Sequence, residues 1–334
     1  MLNTNFRFDH NRISAECNWN SIPSDHTMES QDLRSQPLPR MAAFEWLENE
    51  KRFYDPSSSK SVKFPSPFSQ PTIDLSVIIP AYNEELRLPS MLDEALSHLE
   101  NRCKENSSFT YEVIIVDDGS SDSTSDLALK YSADYGSNKV RLLKLDHNRG
   151  KGGAVRLGML CSRGHELLMA DGDGATKFSD YDKLHENLCQ LSSTDSNESV
   201  LVIGSRAHLQ DDAVAKRSFF RNLLMYFFHL LVALMCRSTI QDTQCGFKLF
   251  SRAAMLCVFT NLHVERWAFD VEVIYIAGHF NVSMKEVPVN WTEIPGSKIV
   301  PVFSWMQMAK DLIMIRLKYT LGIWTINRNY LKSE

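Results

Sequence analysis

Leu167-Leu168-Met169-Ala170-Asp171-Gly172-Asp173-Gly174 is the stretch of this 334-residue chain that decides how the rest is read. Four apolar residues running into turn-formers describe a buried strand that stops at a sheet edge. In an extended chain successive side chains point to opposite faces, so residues two apart share a face. Asp171 and Asp173 therefore leave the strand end as a pair, with no side chain between them. Two carboxylates at a mouth are hard oxygen donors of the kind Mg²⁺ or Mn²⁺ accepts, with waters and ligand phosphates completing the shell. A nucleoside diphosphate is the ligand this implies. Asp and Gly also cluster in ordinary turns, so the motif takes its meaning from its surroundings.

Those surroundings repeat the same unit. Short apolar runs at 75–79, 111–116, 140–145, 166–170 and 199–203 are β-branched or leucine-rich and bounded by Pro, Gly, Asp or Asn. Between them, 84–102, 123–135, 153–162 and 181–191 carry apolar residues at helical spacing. Strand and helix alternating in this way predict an α/β fold, a mostly parallel Rossmann-like sheet with helices on both faces. Ligands of such sheets bind beyond the carboxyl ends of the strands. Five polar segments follow the five runs: Pro80-Ala81-Tyr82-Asn83-Glu84, Asp117-Asp118-Gly119-Ser120, Asn148 to Gly153, Asp171-Gly172-Asp173 and Gly204-Ser205-Arg206. One rim collects them all.

Composition bounds the function. A hydrophobic share of 43%, a charged share of 23% and a formal net charge of −5 describe a folded protein with no basic face for nucleic acid. Seven cysteines without a C-x-x-C pair read as reduced, small apolar residues of a cytosol-facing chain. The segment 1–70 is polar and Pro/Ser-rich and reads as largely disordered, with a short helix at 41–54; Met1 to Arg12 carries no apolar signal region. Residues 71–300 form the main domain. Within it, Leu223 to Cys236 is nearly all apolar with basic flanks, too short to span a bilayer, and predicts a membrane-interface helix at about 219–237. A buried core helix is the competing reading. Residues 301–334 form a C-terminal amphipathic helical segment.

Each rim segment has a chemistry. Arg149-Gly150-Lys151-Gly152-Gly153 enters a helix with exposed N–H groups and two cations, a place for negative charge, yet it matches neither Walker A nor G-x-G-x-x-G. Asp117 and Asp118 stand where a carboxylate accepts hydrogen bonds from a nucleobase or ribose, while Ser120, Ser121 or Asp122 caps the following helix.

Val77 to Glu84 (V-I-I-P-A-Y-N-E), Val116 to Ser120 (V-D-D-G-S), the Asp-x-Asp at 171–173 and Gly204-Ser205-Arg206 resemble family 2 glycosyltransferases of the GT-A fold. Asn148 to Ala154, Asp242 to Lys248, His263 to Glu272 and Asn290 to Lys298 resemble the dolichyl-phosphate β-glucosyltransferase branch of that family, and the likeness runs over about residues 41–325. It implies transfer of glucose from UDP-glucose to dolichyl phosphate, with inversion, at the cytosolic face of the endoplasmic reticulum membrane. It also implies roles: Asp118 with Asp117 for the uridine, Pro80, Tyr82 and Glu84 for the nucleotide cleft, and Lys151, Asp171 and Asp173 for the donor, the two aspartates holding Mg²⁺ or Mn²⁺. Arg206, Arg217, Arg221 and Lys298 are the candidates for the acceptor phosphate. Asp242 stands where the family places an acidic residue near the acceptor, and Asp270 with Glu272 is the rival pair. Two departures accompany the likeness: Gly172 replaces the usual Ala, and a polar tail stands where a spanning helix is usual. A mannosyltransferase using GDP-mannose and a catalytically silent nucleotide-sugar binder are the alternatives.

Overall fold

In the computed structural model, residues 46–194, 199–209, 240–294 and 301–328 are described. Their centre is a seven-stranded sheet: β3 Ile73–Ala81, β4 Tyr111–Asp117, β5 Val140–Lys144, β6 Gly164–Ala170, β7 Val200–Ser205, β8 Phe247–Ser251 and β9 Ser283–Pro288, in the order β5-β4-β3-β6-β8-β7-β9. The strands are parallel except β8, which lies antiparallel between β6 and β7. The expected α/β architecture is thus present. The short β8 run Phe247-Lys248-Leu249-Phe250-Ser251 carries no pattern that reveals its direction.

Pleating splits the strands between two cores. Leu75, Val77 and Ile79 of β3 point to one face and Ile78 to the other; Leu168 and Ala170 of β6 oppose Leu167 and Met169. Helices α1 Leu88–Glu105 and α4 Tyr181–Thr194 cover the first face, α3 Lys151–Cys161, α5 Arg252–Phe259 and α6 Phe269–His279 the second, and α2 Thr124–Tyr135 flanks β5. Helix α1 shows why: Leu88, Met91, Leu92, Ala95, Leu96 and Leu99 recur at three- and four-residue steps, giving one buried stripe. Helix α7, Pro301–Thr320, buries Leu312 and Ile315 against the second core.

One expectation is corrected. Residues 46–70 are ordered onto the domain: a 3₁₀ turn at Asn49–Lys51 leads into the hairpin β1 Arg52–Asp55 and β2 Lys60–Lys63, where the sequence had read a helix at 41–54 within a disordered segment. The reason is packing. Phe53 and Phe64 are buried with ring centroids 4.9 Å apart, and Arg141 lies 4.7 Å over the Phe53 ring. Cys103, Cys161, Cys245 and Cys257 are free. The 219–237 helix and residues 1–45 lie outside the described residues.

The hairpin segment supplies more than apolar surface. Glu50, fully buried, accepts from Arg149 at 2.9 and 3.3 Å, and Arg149 is itself buried. Removing one partner of such a pair leaves the other charge uncompensated, at about 3–5 kcal/mol. Glu50→Ala should therefore lower the unfolding free energy by about that amount, measured by denaturant titration.

Candidate active site

The direction of β8 builds the rim. Because β8 runs against its neighbours, its entry loop 242–246 lies at the same edge as the carboxyl ends of β6 and β7, with Ala170 opposite Phe247. Asp171 and Gly246 are then in contact. A Cβ on Gly246 would stand 2.0 Å from an Asp171 carboxylate oxygen, so a side chain here would displace that carboxylate. Lys151, the first residue of α3, reaches Asp171 Oδ1 at 2.7 Å. Burial opposes its charge, but Asp171 and Asp270 outweigh burial and hold the ammonium above its ordinary range. The second carboxylate, Asp173, accepts from Ala175 N–H at 3.0 Å; burial first, then the neighbouring Asp171, raise its carboxyl. Arg87 lies near enough for both aspartates to favour its charge and is gripped by Glu84 at 2.5 and 2.7 Å.

Two further ion pairs stand beside this one. Arg206, just past β7, donates to both oxygens of Asp242 through Nε at 2.7 Å and Nη2 at 2.9 Å, while its backbone N–H adds a third bond at 2.9 Å. Asp242 is buried; burial pushes its carboxyl up, and Arg206 more than reverses this, holding it below the usual range. The third pair is inside the wall. Lys248 of β8 points to the same face as Phe250, is fully buried, and donates to Asp270 at 2.5 Å and to the Cys245 carbonyl at 2.6 Å.

The β3–β4 end of the rim is tied together by its own carboxylates. Asp117 accepts from Ser120 N–H at 2.9 Å and from the Ser125 hydroxyl. Asp118 accepts from Arg149 and Gly150 N–H at 2.7 and 2.9 Å. Burial pushes the Asp118 carboxyl up to about 6, against the pull of those two N–H groups. Gly150, at φ 92°, makes the turn that aims its N–H there, and a Cβ would meet the Glu265 carbonyl at 2.7 Å. Pro80 and Ala81 end β3 beside this turn, Asn83 sits at φ 51°, and Tyr82 is exposed.

The structure thus gathers Lys151, Asp171, Asp173, Arg206 and Asp242 around the β6–β8–β7 edge, with Asp117, Asp118 and Glu84 along β3 and β4. Three sequence-based roles change. Arg149 is turned inward to Glu50, leaving Lys151 as the cation of its loop. Asp270 is occupied by Lys248 and is 4% exposed, which removes it as a base. Glu272 is fully buried and accepts from Val264 N–H at 2.6 Å and Tyr319 Oη at 2.6 Å, fastening α7 to the 263–264 loop. Arg217, Arg221 and Lys298 lie outside the described residues. Arg87, Gly246 and Lys248 went unread as functional. Gly246 and Lys248 sit inside the Asp242 to Lys248 segment, but only the strand pairing tells what they face.

A covered, mostly parallel sheet with an Asp-x-Asp at a strand end is the arrangement of GT-A glycosyltransferases, and the chain belongs to glycosyl transferase family 2, whose profile matches residues 76–259. Within that family it is 54% identical to the dolichyl-phosphate beta-glucosyltransferase of Homo sapiens over 289 residues, 86% of this chain and 89% of that one. It is likewise 54% identical to the Drosophila melanogaster dolichyl-phosphate beta-glucosyltransferase over 293 residues, 88% and 89% of the two chains. The crystal structure of mannosyl-3-phosphoglycerate synthase from Rubrobacter xylanophilus superposes over 77% of each chain with a TM-score of 0.50 at 12% identity, a likeness of fold.

Asp118 gives a pH signature. A carboxyl raised to about 6 in the folded state stabilises the fold fully below its unfolded value near 3.8, and that contribution is lost as pH rises through 6. The difference integrates to about 3 kcal/mol. Unfolding free energies measured from pH 4 to pH 7 should fall for the wild type relative to Asp118→Asn by that order.

Proposed function

We propose that this chain transfers glucose from UDP-glucose to dolichyl phosphate with inversion, at the cytosolic face of the endoplasmic reticulum membrane. The observation that carries the reading is the 54% identity to a dolichyl-phosphate beta-glucosyltransferase over 86% of the chain, together with Arg206 fixed by Asp242 at the edge where the Asp-x-Asp stands.

The site suits a divalent cation. Asp171 and Asp173 offer oxygen donors only, and Asp171 disfavours the charge of Asp173, which a cation would relieve. Mg²⁺ or Mn²⁺ held there would neutralise charge on the departing UDP. The remaining work belongs to side chains. Lys151 adds positive charge at Asp171, on the donor side. Arg206 draws the acceptor phosphate into line by charge-assisted hydrogen bonds. A phosphate monoester has a second pKa of about 6, so the acceptor arrives ionised and needs little proton removal. Asp242 suits that economy: held below the usual range by Arg206, it is a poor base and a good clamp for the guanidinium.

A polyprenyl acceptor keeps its chain in a bilayer, so the enzyme must meet one. Among the described residues no helix is long and apolar enough to cross a membrane. Helix α7 and the residues after it instead expose Ile313, Met314, Leu317, Leu321 and Ile323 beside the exposed cations Lys310 and Arg316, a face suited to lying in an anionic interface.

Incubating the protein with labelled UDP-glucose or GDP-mannose and dolichyl phosphate tests the transfer. Glucose transfer should dominate, and Asp173→Asn should reduce it at least 100-fold with an unchanged melting temperature, since one lost electrostatic stabiliser costs about that factor. Preferred mannose transfer, or no turnover with intact UDP binding, would overturn the reading. For the membrane, Leu317→Glu with Leu321→Glu should release the protein from phosphatidylserine-containing liposomes while UDP affinity stays within about twofold; unchanged partition would exclude this face.

A further inference from the structure

Trp291 sits in a short clasp that closes over the residues following the Asp-x-Asp. Thr176 and Trp291 form an antiparallel bridge, framed by Lys177 N–H on the Asn290 carbonyl at 2.9 Å and Thr292 N–H on the Ala175 carbonyl at 2.8 Å. Asn290 is pinned in turn by Asp180, which is buried and accepts its backbone N–H at 2.5 Å and its side-chain amide at 3.0 Å. The clasp is therefore a rigid piece. Its indole faces the other way: the Arg206 guanidinium carbon lies 5.5 Å from the centre of the Trp291 ring.

Two bonded routes meet at this residue. Asp173 accepts from Ala175 N–H, and the Ala175 carbonyl accepts from Thr292, next to Trp291. Arg206 is bonded to Asp242 through Nε and Nη2 while its guanidinium carbon lies over the indole, so the carboxylate and the ring together restrict where its remaining N–H groups point. A planar guanidinium recognises phosphate by direction, so fixing its plane fixes where the phosphate goes.

We propose that Trp291 is a positioning residue for the acceptor phosphate: through its ring it sets the plane of Arg206, and through the clasp it ties that plane to the donor's Asp-x-Asp turn. The inference rests on the reading of Arg206 as the acceptor's partner. Its chemistry requires a π face and not bulk alone, since a cation is drawn to the ring quadrupole.

The test compares three variants by steady-state transfer from UDP-glucose to dolichyl phosphate and by calorimetric UDP binding with Mn²⁺. Trp291→Leu, which keeps apolar volume, should raise the acceptor KM about five- to tenfold, with UDP affinity unchanged within about twofold. Trp291→Phe, which keeps a ring, should recover most of that loss. Arg206→Lys should raise the acceptor KM at least as much as Trp291→Leu does. Equal acceptor KM for the Leu and Phe variants, or a parallel loss of UDP affinity in Trp291→Leu, would show a packing role only and overturn the proposal. An unchanged acceptor KM in Arg206→Lys would instead overturn the reading of Arg206 on which it stands.

Discussion

Charge buried at a protein rim must be answered by a counter-charge or by hydrogen-bond donors, and much of the architecture of this one follows from that constraint. Lys151 answers Asp171, Arg206 answers Asp242, Lys248 answers Asp270, and Arg149 answers Glu50. Desolvation disfavours an unpaired charge, and a partner within hydrogen-bond reach offsets that cost. The pairs differ in what they leave over. Those of Lys248 and Arg149 are closed inside the wall and hold backbone in place. Those of Lys151 and Arg206 keep one side toward the cleft, where phosphate oxygens can be met.

This division explains why acid–base machinery is not where the site invests. Among the described residues of the β7–β8 edge, Asp242 is held low by Arg206 and Asp270 is covered by Lys248. A nucleophile that is ionised on arrival needs placement and a charge-stabilised leaving group, and fixed cations supply both. Rigidity of the surrounding turns is then the quantity under control. Gly246 and the Gly150 turn let backbone approach where a side chain would push the charged groups apart.

Much of the framework was legible in the chain. Five apolar runs and the helices between them were readable because strand and helix periodicities differ, and the Asp-x-Asp was readable because it follows such a run. What escaped was set by long-range pairing. The direction of β8, the seat of Lys248 beneath Asp270 and the contact of Gly246 with Asp171 all depend on which strands are neighbours, and no local pattern encodes that. Arg149 was misread for the same reason, since its partner Glu50 comes from a segment whose polar composition hid two core aromatics, Phe53 and Phe64.

One junction bears on how such enzymes diverge. The backbone of Arg206 is bonded to the side chain of Asp242, so the chain leaves the rim and returns to it at the same point. Everything between those two residues is a closed excursion whose ends are already joined. Closing a loop costs only about 0.6 kcal/mol more for each doubling of its length. Changes in the length of the segment between those two residues are therefore cheap, while the Arg206–Asp242 junction keeps its geometry.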